Sequence, residues 1–224
     1  MDGRIASLVL LCAGLARGAP IVIGFAGGFV ARDNPIHGEV QLAARLRTEY
    51  GSGAQVWMFE NHRGVEARRE VIRLLDTDRD GTLSAEEKTA ARIAIFGHSW
   101  GASEAIALAR ALGRDRIPVL LTVQVDSVQK PFEDDASIPP NVAQAVNFYQ
   151  SEGLLHGRAQ IHAADSARTQ ILGNFLMAYK SKPVSCPGYS WFARTFMKPH
   201  IEIESDPAVW GRVESLIRSK LDLK

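Results

Sequence analysis

The chain has 224 residues, enough for one large core and too few for two comfortable domains. Its 46% hydrophobic and 23% charged content is that of an ordinary soluble globular protein. A net charge of +1 excludes the basic field that a nucleic-acid partner requires and any acidic tail, and no apolar run is long enough to span a bilayer.

Taken in chain order, Ile5 to Ala16 is an apolar stretch of signal-peptide length, preceded by Arg4 and followed by a small-x-small site, Ala16-Arg17-Gly18. Residues 1–18 are therefore expected to be a signal peptide and the protein to be exported, periplasmic or secreted. If the segment is instead the first element of the fold, the protein is cytoplasmic. Residues 19–224 read as one domain. Pro20 to Phe25 is an apolar strand, followed by a glycine-rich turn, Ala26-Gly27-Gly28-Phe29. Glu39 to Tyr50 has a helical apolar face of Leu42, Leu46 and Tyr50. Gln55 to Glu60 is a strand, and Val65 to Leu75 a helix with Val65, Ile72 and Leu75 inward. Ala91 to Phe96 and Ile117 to Val125 are strands flanking a helix from Ala102 to Leu112. Ala145 to Tyr149 suits another strand, whereas 154–199 mixes Gly, Pro, Ser and aromatics without a period. Asp206-Pro207 opens a final amphipathic helix carrying Val209, Val213, Leu216 and Ile217. Alternating strands and helices at this spacing predict an α/β fold with a mostly parallel central sheet covered on both faces, and the length leaves no room for a large lid domain.

Two motifs interrupt this pattern. Gly97-His98-Ser99-Trp100-Gly101 is a G-x-S-x-G between a strand and a helix, the nucleophile-elbow arrangement. The glycines allow a turn so tight that the serine hydroxyl stands above the sheet edge, at a helix N-terminus whose free N–H groups suit an oxyanion. The second motif, Asp76 to Glu87, fits an EF-hand loop throughout: Asp76, Asp78 and Asp80 at positions 1, 3 and 5, Gly81 at 6 and Glu87 at 12. Thr82 would offer its carbonyl, Ser84 a water-mediated contact, and Leu83 would face the core. The helix after the loop is short and the loop is single, so a structural calcium clip is expected rather than a sensor. No organic cofactor is expected.

With these parts in this order, the chain from about residue 20 to 222 resembles an α/β-hydrolase of the lipase, esterase or thioesterase type. The resemblance implies a serine hydrolase acting on an ester or thioester of a small-molecule or lipid-like acyl substrate. It carries the nucleophile to Ser99 and the late histidine to His200, just before the last helix. Among the other histidines, His37 and His62 precede the elbow, His156 and His162 lie in the unassigned stretch, and His98 should point away from the serine. For the acid, Asp126 stands at the C-terminal end of the strand after the elbow helix, where sites on parallel sheets gather; Asp165 is its rival, Asp134 and Asp135 weaker. The oxyanion donors fall to the amides of Trp100 and of Phe25 or Ala26. Phe148, Tyr149, Trp191, Phe192, Phe196 and Met197 form either an apolar acyl site or ordinary core. An acyltransferase or peptidase would use the same triad. A non-catalytic calcium-binding module on a decayed scaffold would leave Asp126 and His200 apart from Ser99.

Overall fold

A computed structural model describes residues 18–223. The apolar segment from Ile5 to Ala16 lies outside them. In chain order the elements are β1 (Ile21–Ala26), α1 (Gly38–Tyr50), β2 (Gln55–Glu60), α2 (Gly64–Leu75), α3 (Ala85–Thr89), β3 (Ile93–His98), α4 (Trp100–Arg114) and β4 (Val119–Val125). Then follow β5 (Ser137–Ile138), β6 (Val142–Tyr149), β7 (His162–Ala163), β8 (Gln170–Leu176), α5 (Trp191–Phe196), α6 (Lys198–Ser205) and α7 (Pro207–Leu221).

Six strands make one sheet in the order β2-β1-β3-β4-β6-β8, and every neighbouring pair is parallel. A parallel pair cannot be closed by a hairpin, so the helices cross over and cover the sheet's two faces. The alternation of side chains along each strand sorts the core accordingly. Val22, Phe96, Val123 and Phe148 face one way and pack with Leu42 and Leu46 of α1 and Val213 and Ile217 of α7. Ile23, Phe25, Ile93 and Ile95 face the other way, against Val71 of α2 and Ile106 and Leu112 of α4. Each such fully buried side chain contributes about 1.5–3 kcal/mol.

The elements outside the last third follow the sequence pattern with ends shifted by a few residues. Two details differ. Val65 is exposed, because the inward stripe of α2 is Ala67, Val71 and Leu75. The unassigned stretch supplies the sixth strand, β8. It is a half-exposed edge strand with a register shift against β6 between Ala145 and Val146, so it carries no regular apolar alternation.

Candidate active site

Ser99 sits between β3 and α4 with φ 55° and ψ −125°, a backbone conformation that L-residues avoid. Packing from both sides holds it there. A Cβ at Gly97 would collide with the Gly101 carbonyl, and one at Gly101 would lie 2.7 Å from the Ala26 carbonyl oxygen and collide with that of Phe25. The two glycines let the helix start directly against the sheet. The Ser99 N–H donates to the Val125 carbonyl at 3.0 Å, tying the elbow to the end of β4.

Asp126, the residue after β4, also has a positive φ of 45° and is fully buried. Its carboxylate accepts from the Gly157 N–H at 2.7 Å, the Gln150 side-chain amide at 2.8 Å and the Gln150 N–H at 3.2 Å. Burial alone would raise its pKa; the hydrogen bonds and charge from His200, with those from Gln150, outweigh it and hold the group below the ordinary carboxylate value. His200, in the first turn of α6, donates from Nδ1 to Asp126 Oδ2 at 2.7 Å, while its Nε2 accepts from the Ser99 hydroxyl at 3.0 Å. Burial and the neighbouring His98 lower the His200 pKa against the opposing pull of Asp126, so at neutral pH its ring is uncharged.

Thus Ser99, Asp126 and His200 converge from chain separations of 74 and 101 residues. The other candidate acids do not join them: Asp135 binds Ser127 and Arg158, and Asp165 caps a turn at Ala167. His62, His156 and His162 are exposed. A decayed scaffold would keep Ser99 away from every histidine; here its hydroxyl is within hydrogen-bonding reach of one.

The expected donor at Phe25 requires correction. Ile21 N–H donates to the Arg92 carbonyl, and the ladder repeats every second residue, so Phe25 spends its N–H on β3. The series begun by Gln55 N–H on the Pro20 carbonyl likewise commits Ala26 to β2. Gly27 N–H goes to Glu39 Oε1 at 3.3 Å. The first amide beyond these is that of Gly28, whose loop is held by Asn61 through the Gly27 and Gly28 carbonyls. Trp100, half-buried at the start of α4, stacks edge-on against the exposed Phe29 at 5.8 Å. Of the aromatics, Phe148 is core: it stacks on Phe175 at 5.5 Å beneath the Arg212 guanidinium. Trp191, Phe192 and Phe196 are exposed on α5, immediately before α6 and His200.

Sequence reasoning missed a second buried polar layer. The His98 ring packs against the His200 ring with centroids 4.5 Å apart. Its Nδ1 lies 3.4 Å from Glu204 Oε1. That oxygen accepts from His37 Nδ1 at 2.6 Å, and Glu204 Oε2 accepts from the Tyr189 hydroxyl at 2.7 Å. Glu39 completes the group and is fully buried. Burial opposes charge on both His98 and Glu39: the carboxylates overcome it at His98, raising its pKa to about 9, whereas Glu39 rises to about 7. Nothing local marked this layer: an acidic residue such as Glu39 in the first turn of a helix is ordinary.

The aspartate loop is open by comparison. Asp76, Asp78 and Asp80 each bring an oxygen within 4.8 Å of the others. Gly81 takes φ 85° and donates to Asp76 Oδ2 at 3.1 Å, while the other Asp76 oxygen is buried without a partner. Leu83 packs onto the core as expected. Glu87 does not join the aspartates. It forms a capping box with Ser84 and accepts from Thr77 N–H at 2.6 Å; these donors hold its pKa near 2. Thr82 donates its N–H and hydroxyl to Asp80.

The sequence matches no protein-family model and no curated protein. Solved structures do resemble it. A thermostable esterase from Pseudomonas putida superposes with a TM-score of 0.50 at 12% identity, covering 95% of this chain and 77% of the other. A cutinase-like protein from a Cryptococcus species gives 0.47 at 11% identity, covering 92% and 97%, and an esterase from Pyrobaculum calidifontis gives 0.45 at 14%, covering 91% and 75%. At such identities the likeness speaks to architecture: the chain has the parallel six-stranded sheet and flanking helices of the α/β-hydrolase fold.

Proposed function

We propose that this protein is a serine hydrolase that cleaves a carboxylic ester or thioester through an acyl-enzyme. The observation that carries this reading is the hydrogen-bond chain from the strained Ser99 through His200 to Asp126. His200 Nε2 takes the Ser99 proton as Oγ attacks the acyl carbon. Asp126 keeps the proton on Nδ1 and stabilises the imidazolium that forms. The carbonyl π bond opens to an oxyanion, to which the N–H groups of Trp100 and Gly28 donate. The oxyanion then collapses, the bond to the alcohol or thiol breaks, and His200 returns its proton to that leaving group. Water repeats the sequence on the acyl-Ser99 ester, releasing the acid and restoring the serine.

The exposed Phe29, edge-on against Trp100 next to Ser99, offers apolar surface there, which suits a small-molecule or lipid-like acyl group. The aspartate loop is assigned a structural calcium ion. Asp76, Asp78 and Asp80 fit it, and one Asp76 oxygen is buried without a partner. Thr82 and Ser84 would complete the shell, and Glu87 would join by releasing Thr77 and Ser84. Calcium there would brace the turn leading into β3 and take no part in the reaction.

Fluorophosphonate labelling with mass-spectrometric mapping tests the reading. A single adduct on Ser99, lost in His200→Ala, is expected; absence of any adduct in calcium-replete buffer would refute it.

A further inference from the structure

The second polar layer behind the triad is larger than the triad needs. Its donors are drawn from three parts of the chain. Glu39 comes from α1, reaching back to the Gly27 N–H; His98 comes from the elbow itself; Glu204 comes from α6, one turn beyond His200; and His37 precedes α1. One ligand-type atom each of His37, Glu39 and Glu204 lies within 4.8 Å of the others, and all three side chains are buried. His98 stands beside this group as an ion-pair partner, with Nδ1 3.4 Å from Glu204 Oε1. One feature stands out in so dry a place: Glu39 Oε2 has no hydrogen-bond partner. Buried polar atoms are satisfied in more than nine cases out of ten, roughly, and an orphaned buried carboxylate oxygen is costly.

We propose that His37, Glu39 and Glu204 bind a divalent transition-metal ion of the zinc class beside the catalytic triad. One imidazole nitrogen and two carboxylate oxygens are a three-ligand set that suits a zinc-type ion with a fourth position left to water, whereas calcium avoids nitrogen ligands. Two carboxylates cancel the charge of a divalent ion, so the core would bury a neutral group. The ion would displace the proton that His37 Nδ1 shares with Glu204 Oε1, and Tyr189, donating to Glu204 Oε2, would fix that carboxylate's free oxygen. Its role would be positional: a single point would staple the start of α1 to the helix bearing His200. The site is distinct from the aspartate loop and does not depend on the hydrolase assignment.

Cobalt(II) is the probe. The wild-type chain and an Asp76→Asn/Asp78→Asn variant, stripped with chelator, are titrated with Co2+ while visible absorption and hyperfine-shifted proton resonances are recorded. Expected in both are about one ion per chain, the intense visible bands of a low-coordinate ion, and an exchangeable imidazole resonance from one histidine. Glu39→Gln or His37→Gln should weaken binding by about 100-fold or more. Absence of Co2+ binding in the Asp76→Asn/Asp78→Asn protein would overturn the proposal, as would binding without shifted imidazole signals. Both readouts are taken on chains with the cluster intact, so a failure of the substituted variants to fold does not protect the idea.

Discussion

The elbow and the aspartate loop are both glycine-dependent turns next to β3, and they use glycine for different reasons. At Gly97 and Gly101 the constraint is space: any side chain would strike backbone of a neighbouring element. At Gly81 there is nothing within 4 Å of where a Cβ would stand, and the constraint is a φ of 85°. The elbow is thus held by the whole fold, and the loop by its own hydrogen bonds. A turn enforced from outside can keep a strained serine in place; a self-contained one can yield to a ligand.

This contrast sets an order of expected effects. Ser99→Ala should lower kcat/KM for an activated ester by about ten-thousandfold or more, equivalent to about 5.5 kcal/mol, with an unchanged melting temperature; steady-state assays beside a thermal melt check it. Gly101→Ala should cost about 3 kcal/mol of stability by urea denaturation, because its neighbours are carbonyls that cannot turn aside. A loss below about 1 kcal/mol would mean that α4 can retreat from the sheet. Calcium at a hundredfold excess over its Kd should stabilise the chain by about 2.7 kcal/mol relative to chelator, and Asp78→Asn should erase the difference in scanning calorimetry.

Next in size is the response to acid. The His200 pKa is below its ordinary 6.5, so the base stays neutral under mildly acidic conditions. The pH profile of kcat/KM should be half-maximal below 6.5 and fall about tenfold, or 1.36 kcal/mol, per further unit. For stability the sign is the same: the unfolded histidine takes up its proton first, so this group's contribution is lost as pH falls from 6.5 towards the folded value. A midpoint above 6.5 would contradict the environment described. Smallest, Gly81→Ala should cost about 1 kcal/mol, through backbone conformation alone. Comparable losses at Gly81 and Gly101 would remove the distinction between the two turns.

The same distinction explains what could be read from the sequence. The elbow, the strand-end Asp126 and the aspartate spacing are local patterns, and His200 followed from chain order once the resemblance was drawn. The oxyanion donor was misread because it depends on where the β1 ladder stops, which is a property of two neighbouring strands. Gln150 and Gly157, which grip Asp126, lie in a stretch without periodicity. The His37–Glu204 contact spans 167 residues, and nothing near either residue announces the other. β8 escaped because an edge strand keeps one face wet.

The all-parallel sheet has a kinetic corollary. With no hairpin in it, each strand pair waits for an intervening crossover, and the triad joins residues 74 and 101 positions apart. High contact order of this kind makes folding slow. Helix signal in a refolding experiment should therefore return before the serine becomes reactive. The interval between the two would time the docking of α6 onto the sheet.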